Sequence, residues 1–182
     1  MANIKKELDK IKECISDASF LANKGLSNEV RIYVYKYAPQ YELMVRDFIK
    51  RVVGTPYGNH MVIELDMYKI FLDILEEKSV LYKVSLMEEN KGKDYLLANL
   101  QKIATPREFF DKMKYEPGDV LFLTGVGKVY PFMRSHKILD VMQPVLTNTP
   151  IVLFYPGEFD GQSLTLFEKF RDANYYRLFN LL

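Results

Sequence analysis

Gly125, Gly127 and Lys128 have the residue types and spacing that could hold an anion. They follow the apolar run Val120-Leu121-Phe122-Leu123 and precede a helical stretch. At such a junction, backbone N–H groups can point at a phosphate. The turn is not a nucleoside-triphosphate loop of the Walker type. That motif needs a glycine five positions before the Gly-Lys pair and a hydroxyl residue after it, where this chain has Phe122 and Val129. No third glycine completes a dinucleotide fingerprint. The competing reading is a tight strand-to-helix turn that needs flexible backbone. A lone Gly-x-Gly is a weak phosphate signal, and the structural turn is the favoured reading.

Tyr130, Arg134 and His136 follow closely. An arginine here could bind a phosphate or a partner's carboxylate. If 131–142 is one helix, residues two apart diverge by about 200°. Arg134 and His136 would then serve different surroundings. Metal chemistry is poorly served: the histidines are His60 and His136, and Cys14 is the one cysteine. Ser163 lacks the Gly-x-Ser-x-Gly elbow of a hydrolase, and Cys14 has no flanking base. Glu64 and Asp66 stand at a strand end as a nuclease pair might, but Lys69 lies a turn into the next helix. We expect no catalytic residue, no metal site and no cofactor.

The segment 154–164 combines Tyr155 and Phe159 with the turn formers Pro156, Gly157, Asp160 and Gly161, then Gln162 and Ser163. It reads either as a recognition loop, since aromatics anchor interfaces, or as a structural corner. The chain carries 13 Tyr and 12 Phe, more than the core of one small domain easily absorbs.

These residues need elements to position them. Ile4, Leu8, Ile11 and Ile15 repeat at helical spacing and predict a helix over 3–20 with Asn3 as cap. Residues 30–35 read as a strand, and Pro39 opens a helix with apolar face Met44, Phe48, Ile49 and Val52. A strand over 61–65 leads to Asp66, the cap of a helix carrying Ile70, Phe71, Ile74 and Leu75. Helical pattern continues to about 114, broken at Gly92 and restarted by the capping box Thr105-Pro106-Arg107-Glu108. The runs 120–123 and 151–155 are apolar throughout, as in strands buried on both faces. Pro131 opens a helix, Pro156-Gly157 ends the second run, and 174–179 reads as a terminal strand. The expected fold is α/β, three-layered, with a mostly parallel sheet between helices. We read 1–182 as one domain with a helical insertion at 66–114.

Composition narrows the function classes. Lys+Arg is 25 and Asp+Glu 24, so the basic excess of a dedicated nucleic-acid binder is missing, although a local patch could hide in that balance. Direct DNA binding is not expected. One cysteine excludes an intrachain disulfide and fits the cytoplasm. No apolar run nears the roughly 20 residues of a membrane helix, and the lysine-rich start lacks a signal peptide's apolar region.

Four segments together carry a family resemblance. They are Phe20-Leu21-Ala22-Asn23-Lys24-Gly25-Leu26; Thr124–Gly127 with Tyr130-Pro131 and Arg134-Ser135-His136; Phe154–Leu164; and Asn174-Tyr175-Tyr176-Arg177. With these the chain resembles the BrxB family of bacteriophage-exclusion (BREX) defence systems, from Phe20 to Leu182. The resemblance implies a protein encoded with a methyltransferase, an ATPase and the phosphatase-fold protein PglZ. It implies a non-catalytic part of that assembly with PglZ as direct partner. The implied fold is similar to a P-loop NTPase core without its phosphate loop. Lys36, Ala38 and Leu178 depart from the family pattern, which more usually has an acid, a proline and a small residue. Partner contacts are expected at Tyr130, Arg134, His136, Tyr155, Phe159, Asp160, Gln162, Tyr175, Tyr176 and Arg177. The other reading is a nucleotide- or phosphate-binding switch or enzyme built on Gly125–Gly127.

Overall fold

The structure, a computed structural model, describes residues 2–17, 20, 31–57, 60–147, 149–172 and 178–182. Helix α1 (Ala2–Ser16) precedes strand β1 (Ile32–Tyr37). A 3-10 turn at Pro39–Tyr41 then enters helix α2 (Glu42–Val52). Strands β2 (Pro56–Tyr57) and β3 (His60–Asp66) lead into helices α3 (Met67–Glu77), α4 (Val84–Ile103) and α5 (Pro106–Asp111). Strand β4 (Val120–Thr124) is followed by the one-turn α6 (Val126–Val129) and by α7 (Ser135–Met142). Strands β5 (Ile151–Phe159), β6 (Leu164–Leu166), β7 (Phe170–Asp172) and β8 (Phe179–Asn180) complete the order.

The sheet runs β2-β3-β4-β5-β1-β8. β3, β4, β5, β1 and β8 are mutually parallel, and β2 adds an antiparallel edge. Alternation along the central strands makes three layers. Val120, Phe122, Val152 and Phe154 pack with Ile4, Leu8, Ile11 and Ile15 of α1 and Val45, Phe48, Ile49 and Val52 of α2. Leu121, Leu123, Ile151, Leu153 and Tyr155 face the other way, onto α3 to α7. Neither face of β4 or β5 meets water, so a continuous apolar run is what these strands require. The fold is thus the α/β, mostly parallel, helix-flanked sheet expected from the sequence.

Caps and breaks also follow local chemistry. Asp66 Oδ1 accepts from the N–H groups of Tyr68 (2.9 Å) and Lys69 (3.4 Å), closing the start of α3. Thr105 and Glu108 form the reciprocal capping box of α5. Gly92 takes φ 80° and breaks α4 into two pieces. Among the described residues no helix is long and apolar enough to cross a membrane.

Three local expectations are corrected. First, α1 starts at Ala2, so Asn3 lies inside it and donates to Glu7 Oε1 at 2.8 Å. Second, Pro131 does not open a helix. The chain forms α6 directly after Gly125, turns through 131–133, and restarts at Ser135 with Arg134 as an extended N-cap (φ −106°, ψ 144°). Third, Pro156-Gly157 does not end β5. Pro156 stands where the β1 ladder finishes (Tyr37↔Pro156) and the antiparallel β6 ladder begins (Gly157↔Leu166). A missing donor is tolerated at such a point. Phe20 and β8 frame the remaining expectations, because 21–30 and 173–177 lie outside the described residues.

Candidate functional site

β3, β4, β5 and β1 run parallel, so the loops after them gather at one rim. At that rim the Gly125 turn is occupied from within. Thr124 Oγ1 donates to Glu64 Oε1 at 2.7 Å. Lys128 Nζ donates to Asp66 Oδ2 at 2.7 Å. The same carboxylate caps α3 through its other oxygen. Gly125 takes φ 74°, and a Cβ there would lie 2.2 Å from Asp66 Oδ1. Gly127 leaves room for the Phe167 ring, which a Cβ would approach to 2.5 Å. Both glycines therefore have a packing reason, and Lys128 already has its counter-charge. An incoming phosphate would compete with a carboxylate held at hydrogen-bond distance from that lysine.

Beside the turn lies a cleft of about 400 Å³, lined by Tyr37, Glu42, Glu64, Asp66, Lys69 and Lys128 among others. Its carboxylates are engaged one by one. Tyr37 Oη donates to Glu42 Oε2 at 2.6 Å. Burial, reinforced by that bond, holds the Tyr37 phenol far above its ordinary range. Among the described residues no three His, Cys, Asp or Glu side chains converge on a point that could hold a metal ion. Calorimetry with ATP–Mg²⁺ is accordingly expected to show no binding at micromolar concentration. A micromolar or tighter association would restore the nucleotide reading of the turn.

A second hollow, of about 280 Å³, opens where α6, the N-terminus of α7 and the β6–β7 hairpin meet. Tyr130, Arg134 and Tyr155 line it together with Lys169, Phe170 and Arg171. Tyr130 and Phe170 pair with ring centroids 5.1 Å apart. Arg134 is exposed and caps nothing with its side chain. His136 lies on α7, with Nδ1 2.7 Å from Oδ2 of Asp172, another lining residue. Arg134 is an extended N-cap and not a helical position, yet the two side chains still part: Arg134 lines the hollow, whereas His136 does not and is joined to it only through Asp172.

The corner after β5 is rigid. Asp160 accepts from the N–H groups of Ser163 (2.7 Å) and Gln162 (2.9 Å) and from Ser163 Oγ (2.8 Å). These bonds, the Ser163 amide foremost, pull its carboxyl down to about 2. Gln162 and Asp160 are exposed, whereas Tyr155 and Phe159 are buried at 3% and 4% exposure. Both rings belong to the core, and Tyr155 also forms part of the wall of the hollow. Lys36, at the end of β1, pairs with Glu158 at 2.7 Å. Tyr175, Tyr176 and Arg177 lie outside the described residues.

Lys169, Phe170, Arg171 and Asp172 were not singled out from the sequence. Phe170, Arg171 and Asp172 form the three-residue strand β7, too short for any period to show, and Lys169 stands directly before it. The signal that could have found them is the pair of cations, Lys169 and Arg171, flanking Phe170.

Comparison with known proteins agrees with this frame. Residues 63–181 match the family described as BREX protein BrxB. A BREX protein BrxB of Bacillus cereus (strain H3081.97) is 40% identical over 191 aligned residues, covering 100% of this chain and 99% of that one. A BREX protein BrxB of Escherichia coli O9:H4 (strain HS) is 30% identical over 179 residues, covering 96% and 90%. No solved structure matches the chain. With the family match spanning more than half of its length and relatives aligned almost end to end, the chain belongs to the BrxB family of BREX proteins.

Proposed function

We propose that this BREX component is a non-catalytic assembly subunit in the cytoplasm, and that it binds the phosphatase-fold protein PglZ through the rim around the 280 Å³ hollow. One contrast carries the reading. At the Gly125 turn and in the neighbouring cleft, the acids and Lys128 are satisfied inside the protein. At the hollow, Arg134 is exposed beside an aromatic pair, with no ion pair or hydrogen bond among the described residues. Arginine and tyrosine anchor interfaces far more often than their numbers predict. The choice of PglZ as partner comes from the resemblance of the sequence to its family.

The test is capture of the tagged protein from cells that express the neighbouring defence genes, followed by affinity measurement on the recovered partner. Arg134→Ala is expected to weaken binding by about 2 kcal/mol. Its unfolding free energy should stay within about 0.5 kcal/mol of wild type, as for an exposed side chain without partners. A marked fall in melting temperature with unchanged affinity would instead make Arg134 an internal brace.

A further inference from the structure

The hollow at the α6–α7 turn has a charge that the protein as a whole lacks. The chain's formal charge is +1. Three cationic side chains, Arg134, Lys169 and Arg171, nevertheless line this one concavity. Arg134 and Lys169 have no counter-ion among the described residues. Arg171 reaches only a long contact with Asp160, 3.9 Å, and its side chain is 73% exposed. Asp172, the carboxylate in the lining, is already engaged by His136. Exposed cations converging on a hollow without matching acids are arranged for an anion from outside.

The backbone that presents them is held under strain. Phe167 and Glu168, at the tip of the β6–β7 hairpin, take left-handed conformations with φ 53° and 58°. Lys169 N–H closes that turn on Leu166 O at 3.0 Å. Turns of this kind ordinarily select Asn and Gly. Here the Phe167 ring is locked against Gly127, where a Cβ would intrude to 2.5 Å. That contact docks the hairpin on the α6 turn. It thereby sets Lys169, Phe170 and Arg171 opposite Tyr130 and Arg134.

We infer that this hollow receives an acidic segment of a partner protein, one carboxylate side chain meeting the Arg134–Lys169–Arg171 cations while a neighbouring apolar residue lies on the Tyr130–Phe170 pair. The inference rests on the assembly reading and gives it a recognition chemistry. A peptide fits better than a nucleic acid. A phosphate backbone needs a succession of contacts, and its affinity grows with the number of phosphates neutralised. This surface offers a single concavity of about 280 Å³ rather than an extended basic track.

The experiment uses full-length protein and the partner captured from cells that express the neighbouring genes. Affinity is compared for wild type, Lys169→Glu/Arg171→Glu and Lys169→Gln/Arg171→Gln, with melting temperatures as the folding control. Carbodiimide coupling of the wild-type complex is mapped by mass spectrometry. The charge-reversed variant should lose about tenfold or more in affinity and the neutral variant less. Both should melt like wild type, and Lys169 should be found joined to an Asp or Glu of the partner. If the charge-reversed protein binds as wild type does, the acidic-segment inference fails and the assembly reading survives. If wild type captures no BREX protein, both fall together. A 20-mer oligonucleotide bound by wild type and released by charge reversal would assign the cations to nucleic acid and overturn the inference.

Discussion

Truncation of Phe154 to alanine is expected to lower stability by about 3–5 kcal/mol, the usual cost of deleting a fully buried ring. Phe154 is 1% exposed at the middle of β5, between β4 and β1. Its ring centroid lies 4.8 Å from that of Phe122, 5.8 Å from Tyr35 and 6.5 Å from Phe48. The residue therefore joins three parallel strands to α2, and the cavity left behind would face rings that cannot collapse into it. For a chain of this length each kcal/mol moves the melting temperature by about 2–4 °C. Thermal denaturation should consequently show a fall on the order of 10 °C. Leu43→Ala, at a side chain 71% exposed on α2, is the matched control and should stay within about 0.5 kcal/mol of wild type. Equal effects at the two positions would contradict the three-layer packing.

Phe154 also marks what the sequence makes legible. It lies in a continuous apolar run, and such a run has only one comfortable place in an α/β fold, the middle of a covered parallel sheet. Asp66, Gly92 and the Thr105–Glu108 box were equally readable, because capping and left-handed glycine are decided within four or five residues. The site is legible only in part. Arg134 and Tyr130 carry a residue-type signal. The pairing of Lys128 with Asp66, however, spans 62 residues, and that of His136 with Asp172 spans 36. No local pattern encodes such contacts. The β6–β7 hairpin escaped for a related reason. Its strands are three residues each, and its left-handed turn positions are Phe167 and Glu168, not the Asn and Gly that would signal such a turn. Half of the hollow is therefore contributed by an element that exists only once the fold is assembled.

Gly125→Ala separates a structural glycine from a ligand-approach glycine, and its expected cost is about 2–4 kcal/mol. A left-handed φ of 74° at a non-glycine residue accounts for about 1–2 kcal/mol of that. The remainder comes from Asp66. The new Cβ would sit 2.2 Å from its Oδ1, the oxygen that caps α3. Relieving that overlap must pull the carboxylate away from the Tyr68 and Lys69 amides, and a lost cap costs about 1 kcal/mol. Displacement also stretches the 2.7 Å bond to Lys128. Because one carboxylate serves all three contacts, the effects must couple. In an Asp66→Ala background the overlap with the carboxylate is gone, so Gly125→Ala should cost only its backbone strain and the 3.1 Å approach to the Tyr68 amide nitrogen. The double-mutant cycle should therefore show an interaction energy of about 1 kcal/mol or more, measured by chemical denaturation. A glycine that existed to let a phosphate approach would behave differently. Its substitution would cost about the same with or without Asp66, and the cycle would close to zero.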